Sequence, residues 1–113
     1  MSRSYRDLKV WQDSYTLTKD IYQLCQRLPK TEQFGLTSQL QRCAVSIPSN
    51  IAEGQQRNSP KDFRHFLAIA RGSAAELSTQ LLIVGDVYKL DTAELVEKLE
   101  SIQKMLYSLQ KKL

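Results

Sequence analysis

The sequence is poor in the residues that usually carry catalysis or staple small domains: two cysteines, one histidine, four glycines, three prolines and one tryptophan. Cys25 and Cys43 each sit inside an apolar helical pattern, with no C-x-x-C or Cys/His spacing around them. That excludes a disulfide framework and gives no metal motif, so buried free thiols are expected. The only histidine, His65, lies between Arg64 and Phe66, off the inward stripe of its helix. Surface or interface packing is expected of it rather than catalysis. Gly35, Gly54, Gly72 and Gly85 stand alone, so no glycine-rich phosphate loop is present. No stretch approaches the roughly 20 apolar residues of a membrane span, and the opening residues contain no apolar signal region. A cytoplasmic location is the default expectation.

The 113 residues suffice for one domain, 1–113. Hydrophobic residues make up 42% and charged residues 25%, as in globular proteins. Sixteen Lys and Arg against twelve Asp and Glu give a net charge of +4 and a pI near 9.2, which permits a polyanionic partner without demanding one.

Apolar residues recur with helical spacing in four segments separated by short breaks. The first helix is predicted over about 7–28, with Leu8, Trp11, Tyr15, Thr18, Tyr22 and Cys25 inward and Ile21, Leu24 and Leu28 widening the stripe. Pro29 ends it. The second is predicted over about 32–54, capped by Thr31, with Leu36, Leu40, Cys43, Ala44, Ile47 and Ile51 on its core face. Pro48 removes an N–H there and should kink or loosen one turn. The third starts at Ser59-Pro60-Lys61-Asp62, a cap, a first-turn proline and an acid at the positive end of the dipole. Its stripe is Phe63, Phe66, Leu67, Ala70, Ala74, Leu77, Leu81, Val84 and Tyr88. The fourth opens on the capping-box pattern Asp91-Thr92-Ala93-Glu94 and continues as an a/d heptad through Leu95, Leu99, Ile102, Leu106, Leu109 and Leu113. Short connections between helices of similar length predict an all-α, antiparallel up-down-up-down four-helix bundle.

The first and fourth helices have polar backs, but the second and third carry a further apolar or small face. On the second it comprises Gln41, Val45, Pro48 and Ala52; on the third, Ala68, Gly72, Ala75, Thr79 and Ile83. A helix apolar all round should be covered all round. Gly72 adds to this, because glycine inside a helix costs about 1 kcal/mol relative to alanine and usually has a packing reason. These faces are therefore expected to build a subunit interface. With a turn near Arg57, Arg42 falls within one turn of Glu76, so an Arg42–Glu76 ion pair is geometrically possible, and at a subunit boundary it would set register more surely than add stability. The same levels separate Glu53 from Glu76, which leaves no acid/base pair, and no enzymatic activity, cofactor or metal is expected.

Sorting charges by height in such a bundle gathers nine cations at one end: Arg3, Arg6, Lys9, Arg57, Lys61, Arg64, Lys104, Lys111 and Lys112. Only Asp7, Glu53 and Asp62 oppose them, while the far end is net acidic. In a ring of parallel subunits the basic ends would share one face and favour nucleic acid. Tyr5, between Arg3 and Arg6, has two readings: stacking on a base or packing on the bundle end.

Leu8 with Trp11, Leu28-Pro29 leading to Glu32-Gln33-Phe34-Gly35-Leu36, and Gln39 with Arg42 form one set of motifs. Ser46-Ile47-Pro48-Ser49-Asn50-Ile51-Ala52-Glu53-Gly54, followed by Ala70-Arg71-Gly72-Ser73 and Glu76-Leu77, forms a more specific one. Together they resemble the bacterial four-helix-bundle family of 23S ribosomal RNA intervening-sequence proteins over nearly the whole chain. The resemblance implies a homopentameric ring, a nucleic-acid-associated role and no established catalytic activity. A structurally similar accessory protein of diversity-generating retroelements binds a reverse transcriptase and nucleic acid. Two functions follow as expectations: an oligomer that binds structured nucleic acid, ribosomal RNA or related, through its basic end, and an oligomeric scaffold for a protein such as a reverse transcriptase.

Overall fold

A computed structural model of the chain describes residues 4–113, in which four α-helices and no strand are present. They are α1 (Lys9–Cys25), α2 (Leu36–Gln56), α3 (Pro60–Tyr88) and α4 (Ala93–Lys111), with short 3-10 turns at Tyr5–Asp7 and Lys30–Glu32. The helices neighbour one another in the cyclic order α1, α2, α3, α4 and back to α1. Cross-helix bonds fix their directions. Glu32, ahead of α2, meets Tyr88 at the end of α3; Asp20 late in α1 meets Lys98 early in α4 at 3.2 Å; Arg64 early in α3 meets the carbonyl of Leu113. The bundle is thus antiparallel and up-down-up-down, 46 Å along its longest axis. No helix among the described residues is long and apolar enough to cross a membrane.

The core is a continuous column of Leu, Ile, Val and Ala from all four helices, including Leu17, Ile21, Leu40, Ile47, Ile51, Leu67, Leu77, Leu81, Leu99, Ile102 and Leu106. The stripes expected on α2, α3 and α4 supply it. The stripe expected on α1 supplies it only in part: Ile21, Leu24, Cys25 and Leu28 are buried and Leu8 and Trp11 pack against the core, but Tyr15 and Tyr22 do not enter it. Tyr15 is 48% and Tyr22 44% exposed, and Trp11 is half-buried. Val10, Ser14 and Leu17, not expected inward, are buried alongside Ile21, Leu24 and Cys25, which leaves the aromatic residues at the border with α2.

Two of the expected helix starts are also corrected. α2 begins at Leu36 rather than near Thr31; the Leu36 N–H there donates to Glu32 Oε1 at 3.2 Å. Ahead of α4, Asp91 Oδ1 accepts from Ala93 N–H at 3.1 Å, but Glu94 turns to Lys98, so the reciprocal half of the capping box is not made. Thr92 Oγ1 instead donates to the carbonyl of Leu81, tying the loop to α3. The start of α3 is as expected, with Ser59 Oγ accepting from Asp62 N–H at 3.2 Å.

Two contacts set how closely α2 meets its neighbours. At the α2–α3 end, a Cβ on Gly54 would lie 2.7 Å from Phe66 Cβ and 3.0 Å from Phe63 Cδ1, so only glycine permits this approach. In the middle, α2 runs unbroken through Pro48. Proline has no N–H for the carbonyl four residues back, that of Ala44. Thr18 Oγ1 of α1 lies 3.1 Å from this oxygen and 2.8 Å from the carbonyl of Ser14, so one hydroxyl hydrogen is shared between them.

Ala44 is buried, and a buried carbonyl left without a donor costs about 1–3 kcal/mol. Thr18→Val should therefore lower unfolding free energy by about 1 kcal/mol. In a Pro48→Ala background the restored N–H answers Ala44, and the same substitution should cost much less. A double-mutant cycle from urea unfolding measures the difference; equal costs in both backgrounds would refute the compensation.

Candidate interaction faces and basic end

The residues singled out from the sequence occupy three regions: the basic end, the polar seam between α2 and α3, and the outer faces flanking that seam. At the basic end, Arg6, Lys9, Arg57, Lys61, Lys111 and Lys112 are exposed, and Arg3 lies outside the described residues. Several of these cations are engaged. Lys9 pairs with Asp13 at 3.1 Å and Arg57 with Glu53 at 2.9 Å, both one turn apart on a helix. Arg57 also lies over the Phe66 ring, and Lys111 over Tyr107. Arg64 is half-buried, with Nη1 donating to the Leu113 carbonyl at 2.6 Å. Lys104 departs from the expected position. Gln103 donates to the carbonyl of Arg71, which places Lys104 level with the middle of α3, away from the basic end. Arg6 stands 5.9 Å from the Tyr5 ring centre, and Tyr5 meets Trp11 edge-on at 5.3 Å, so Tyr5 packs on the bundle.

The seam between α2 and α3 holds the polar half of the motifs. Ser46 Oγ and Ser73 Oγ are 2.8 Å apart, and Asn50 Nδ2 donates to the Ser46 carbonyl and hydroxyl at 2.8 and 2.9 Å. Cys43 Sγ lies 3.8 Å from Glu76 Oε2 as a donor and accepts from Gln80 Nε2 at 3.4 Å. Burial, first of all, pushes the Cys43 thiol up, and the Glu76 carboxylate adds to it; burial does the same to Cys25. Both thiols are thereby held in their neutral, poorly nucleophilic form. Arg42 and Glu76 line the same seam, yet no ion pair joins them among the described residues. Height does not keep them apart, because with Ser46 opposite Ser73 Arg42 stands level with about Leu77, nearer Glu76 than a hairpin closing at Arg57 would set it; the Glu76 carboxylate accepts from Cys43. Glu53 and Glu76 stay apart because they stand at different heights: Glu53 is level with about Phe66, roughly 15 Å along α3 from Glu76.

The expected interface residues divide by exposure. Arg42, Val45, Ala68, Gly72, Ala75, Glu76, Thr79 and Ile83 are exposed and Ala52 is half-buried. Pro48 is not on the outer face but buried, because the turn it opens is closed over by α1. Its edge forms the floor of a groove between α1 and α2 of about 520 Å³, lined by Tyr5, Trp11, Tyr15, Lys19, Tyr22 and Val45 among others. Trp11 and Tyr15 stack at 5.0 Å, and Lys19 Nζ lies 5.2 Å from the Tyr15 ring centre. This groove escapes sequence reasoning because its aromatic residues share the period of the core stripe. The strict 4-3-4-3 spacing of Val10, Ser14, Leu17, Ile21, Leu24 and Leu28 was the signal for the true core face, masked by the polar Ser14.

At the opposite end, the Tyr88 hydroxyl donates to Glu32 Oε2, and Leu36 N–H donates to the other carboxylate oxygen. The Tyr88 bond first, then the backbone bond, holds the Glu32 carboxyl below the usual carboxylate value, and the Glu32 carboxylate raises the Tyr88 phenol. A carboxylate favoured in the folded state stabilises it at neutral pH and loses that contribution as pH falls through its lowered pKa. Thermal midpoints of the protein should therefore drop more steeply than those of Glu32→Gln as pH is lowered from about 4.3, the ordinary carboxylate value. Parallel curves over pH 7 to about 2.5 would show that the bond does not persist in solution.

A family model described as 23S rRNA-intervening sequence protein matches residues 6–108 of the chain. No curated protein matches it.

Proposed function

The chain belongs to the family of 23S rRNA-intervening sequence proteins, and from that membership we propose that it is a non-enzymatic homo-oligomer, a pentameric ring, which binds structured nucleic acid of the ribosomal RNA type through its basic end. The observation that carries this reading is the meeting, at one end of the bundle, of the starts of α1 and α3 with the ends of α2 and α4. That end presents Arg6, Lys61, Lys111 and Lys112 to solvent. One copy offers only a few phosphate contacts. Parallel copies in a ring multiply them on one face, and each phosphate neutralised releases counterions, which is the main source of sequence-independent affinity.

The ionic work divides unevenly among the cations. Arg57 and Lys9 already have carboxylate partners and Arg64 a carbonyl, so their contribution to a phosphate would be offset by the partner given up. Arg6, Lys61 and Lys112 carry most of the binding. A protein partner such as a reverse transcriptase is the second reading, favoured by exposed Phe34, 92% accessible in the loop before α2.

Salt separates the two. Affinity for a ribosomal RNA fragment should fall steeply between about 50 and 200 mM salt. Arg6→Glu, Lys61→Glu and Lys112→Glu together should abolish binding while leaving assembly intact, and neutralising any one cation that touches a phosphate should lower the log–log salt slope by about 1. Fluorescence anisotropy across a salt titration measures both. Absence of binding at low salt would dismiss the nucleic-acid reading, and an interaction insensitive to salt would favour the protein partner.

A further inference from the structure

Two unlike surfaces of the bundle are left open: the aromatic groove between α1 and α2, and the outer face of α3. We propose that they are the two halves of one contact. The groove of one copy receives the α3 face of a second copy of this chain, the two copies lying parallel and related by rotation about an axis along the bundle. This rests on the proposed oligomer and adds which surface meets which.

Rotation about such an axis keeps every residue at its own level, so the contact can be tested against levels read from the bundle. The Thr18 hydroxyl meets the Ala44 carbonyl, Cys43 meets Glu76, and Ser46 meets Ser73. The groove, running from Tyr22 and Val45 to Tyr5 and Ala52, therefore spans the levels of α3 from about Ala68 to Thr79. Over that stretch the middle of the outer face of α3 is Ala68, Gly72, Ala75 and Thr79, all small, flanked on the α2 side by Ile69, 40% exposed, and Glu76, and a Cβ added at Gly72 would meet nothing within 4 Å. A narrow small-residue ridge thus stands level with a groove walled by aromatic rings. The glycine, costly in a helix interior, has no packing role within its own chain.

Charge agrees with the pairing. Lys19 on the groove wall follows Thr18 directly and so stands level with Glu76 on the α3 face, and neither has an ion pair within the described chain. An aromatic-rich, cation-poor lining also suits a protein contact better than a phosphate backbone.

A two-fold contact of groove on ridge would have to be made twice across a single patch, residue i on j and j on i, which needs both surfaces to face one partner at once. A heterologous contact covers both in every copy once the ring closes.

Two experiments test this. First, Ser49→Cys and Ala68→Cys proteins, mixed and treated with a short bismaleimide, should give a cross-linked dimer well above the level of either variant alone or of the unmodified protein. The double variant should give a covalent ladder. Cross-linking of a single variant with itself, or persistence of the oligomer with no mixed product, would overturn the pairing while leaving the ring intact. Second, Lys19→Glu and Glu76→Lys should each weaken assembly by roughly tenfold or more, since like charges face each other across the contact. The double charge swap should restore it, with helical circular dichroism unchanged throughout. No effect of the single reversals, or no recovery in the double, would also overturn it. A monomeric unmodified protein by sedimentation would remove both the oligomer and this contact.

Discussion

A helix that keeps a proline in its middle carries one main-chain carbonyl with no N–H to receive it, and something must take that place or the turn is destabilised. In α2 the proline is Pro48, the carbonyl is that of Ala44, and the donor is Thr18 of α1. A hydroxyl has little reach, so the bond fixes both the distance between the helices and the rotation of α1 about its own axis. With Thr18 held against α2, Leu17, Ile21 and Leu24 point into the core. Tyr15 and Tyr22, each one turn from Thr18 in opposite directions, are left along the border. The groove is thus a consequence of the proline: the same turn that loses a hydrogen bond supplies the floor, and the side chain that repairs it sets the walls.

On its other side α2 faces a different constraint. Gly54 allows the chain to close against Phe63 and Phe66, and the serine pair Ser46–Ser73 with Asn50 fills the seam above with short polar side chains. Short side chains draw two helices together, and hydrogen bonds between them satisfy groups that would be costly to bury alone. The motif that runs from Ser46 to Gly54 therefore serves the α2–α3 seam with Ser46, Asn50 and Gly54, the core with Ile47 and Ile51, and the α1 contact with Pro48. Its residues share one sequence stretch because one helix has two neighbouring helices and a core to satisfy, which requires no bound ligand.

Much of this was legible in the sequence. The four helices, the capped start at Ser59 and the a/d series of α4 follow from spacing and local chemistry, which act within a turn or two. The rotation of α1 was not, because Leu8, Trp11, Tyr15 and Tyr22 repeat with nearly the same period as Val10, Leu17, Ile21 and Leu24. Only the first set includes phenols, whose hydroxyls favour the solvent edge. What chooses between the stripes is a partner 26 residues away, the Ala44 carbonyl. The loss of an N–H at Pro48 could be foreseen; the identity of the donor that replaces it could not. The same limit governs the basic end. The i,i+4 partner of Arg57 can be read from the sequence, whereas capture of Arg64 by Leu113 and the level of Lys104 depend on how α3 and α4 are set against each other.

Placing like charges at one end of a bundle costs little in a single copy, because exposed cations are screened within about 8 Å at physiological ionic strength. Assembly changes this. Parallel copies bring the basic ends onto a common face, and the repulsion they create must be outweighed by the sides that join them. The division of labour in the proposed ring meets that condition: apolar and aromatic surface lies along the sides, where burial strengthens association, and the cations stand at the end, where solvent and counterions reach them. Pairing of Lys9 with Asp13 and of Arg57 with Glu53 reduces the repulsion further, leaving Arg6, Lys61 and Lys112 as the charges whose repulsion a polyanion would relieve. Binding at the end and assembly along the sides are then coupled in sign. In the proposed ring a polyanion bridging several basic ends would stabilise the parallel arrangement, and the ring, by fixing those ends side by side, would raise affinity for a polyanion long enough to span them.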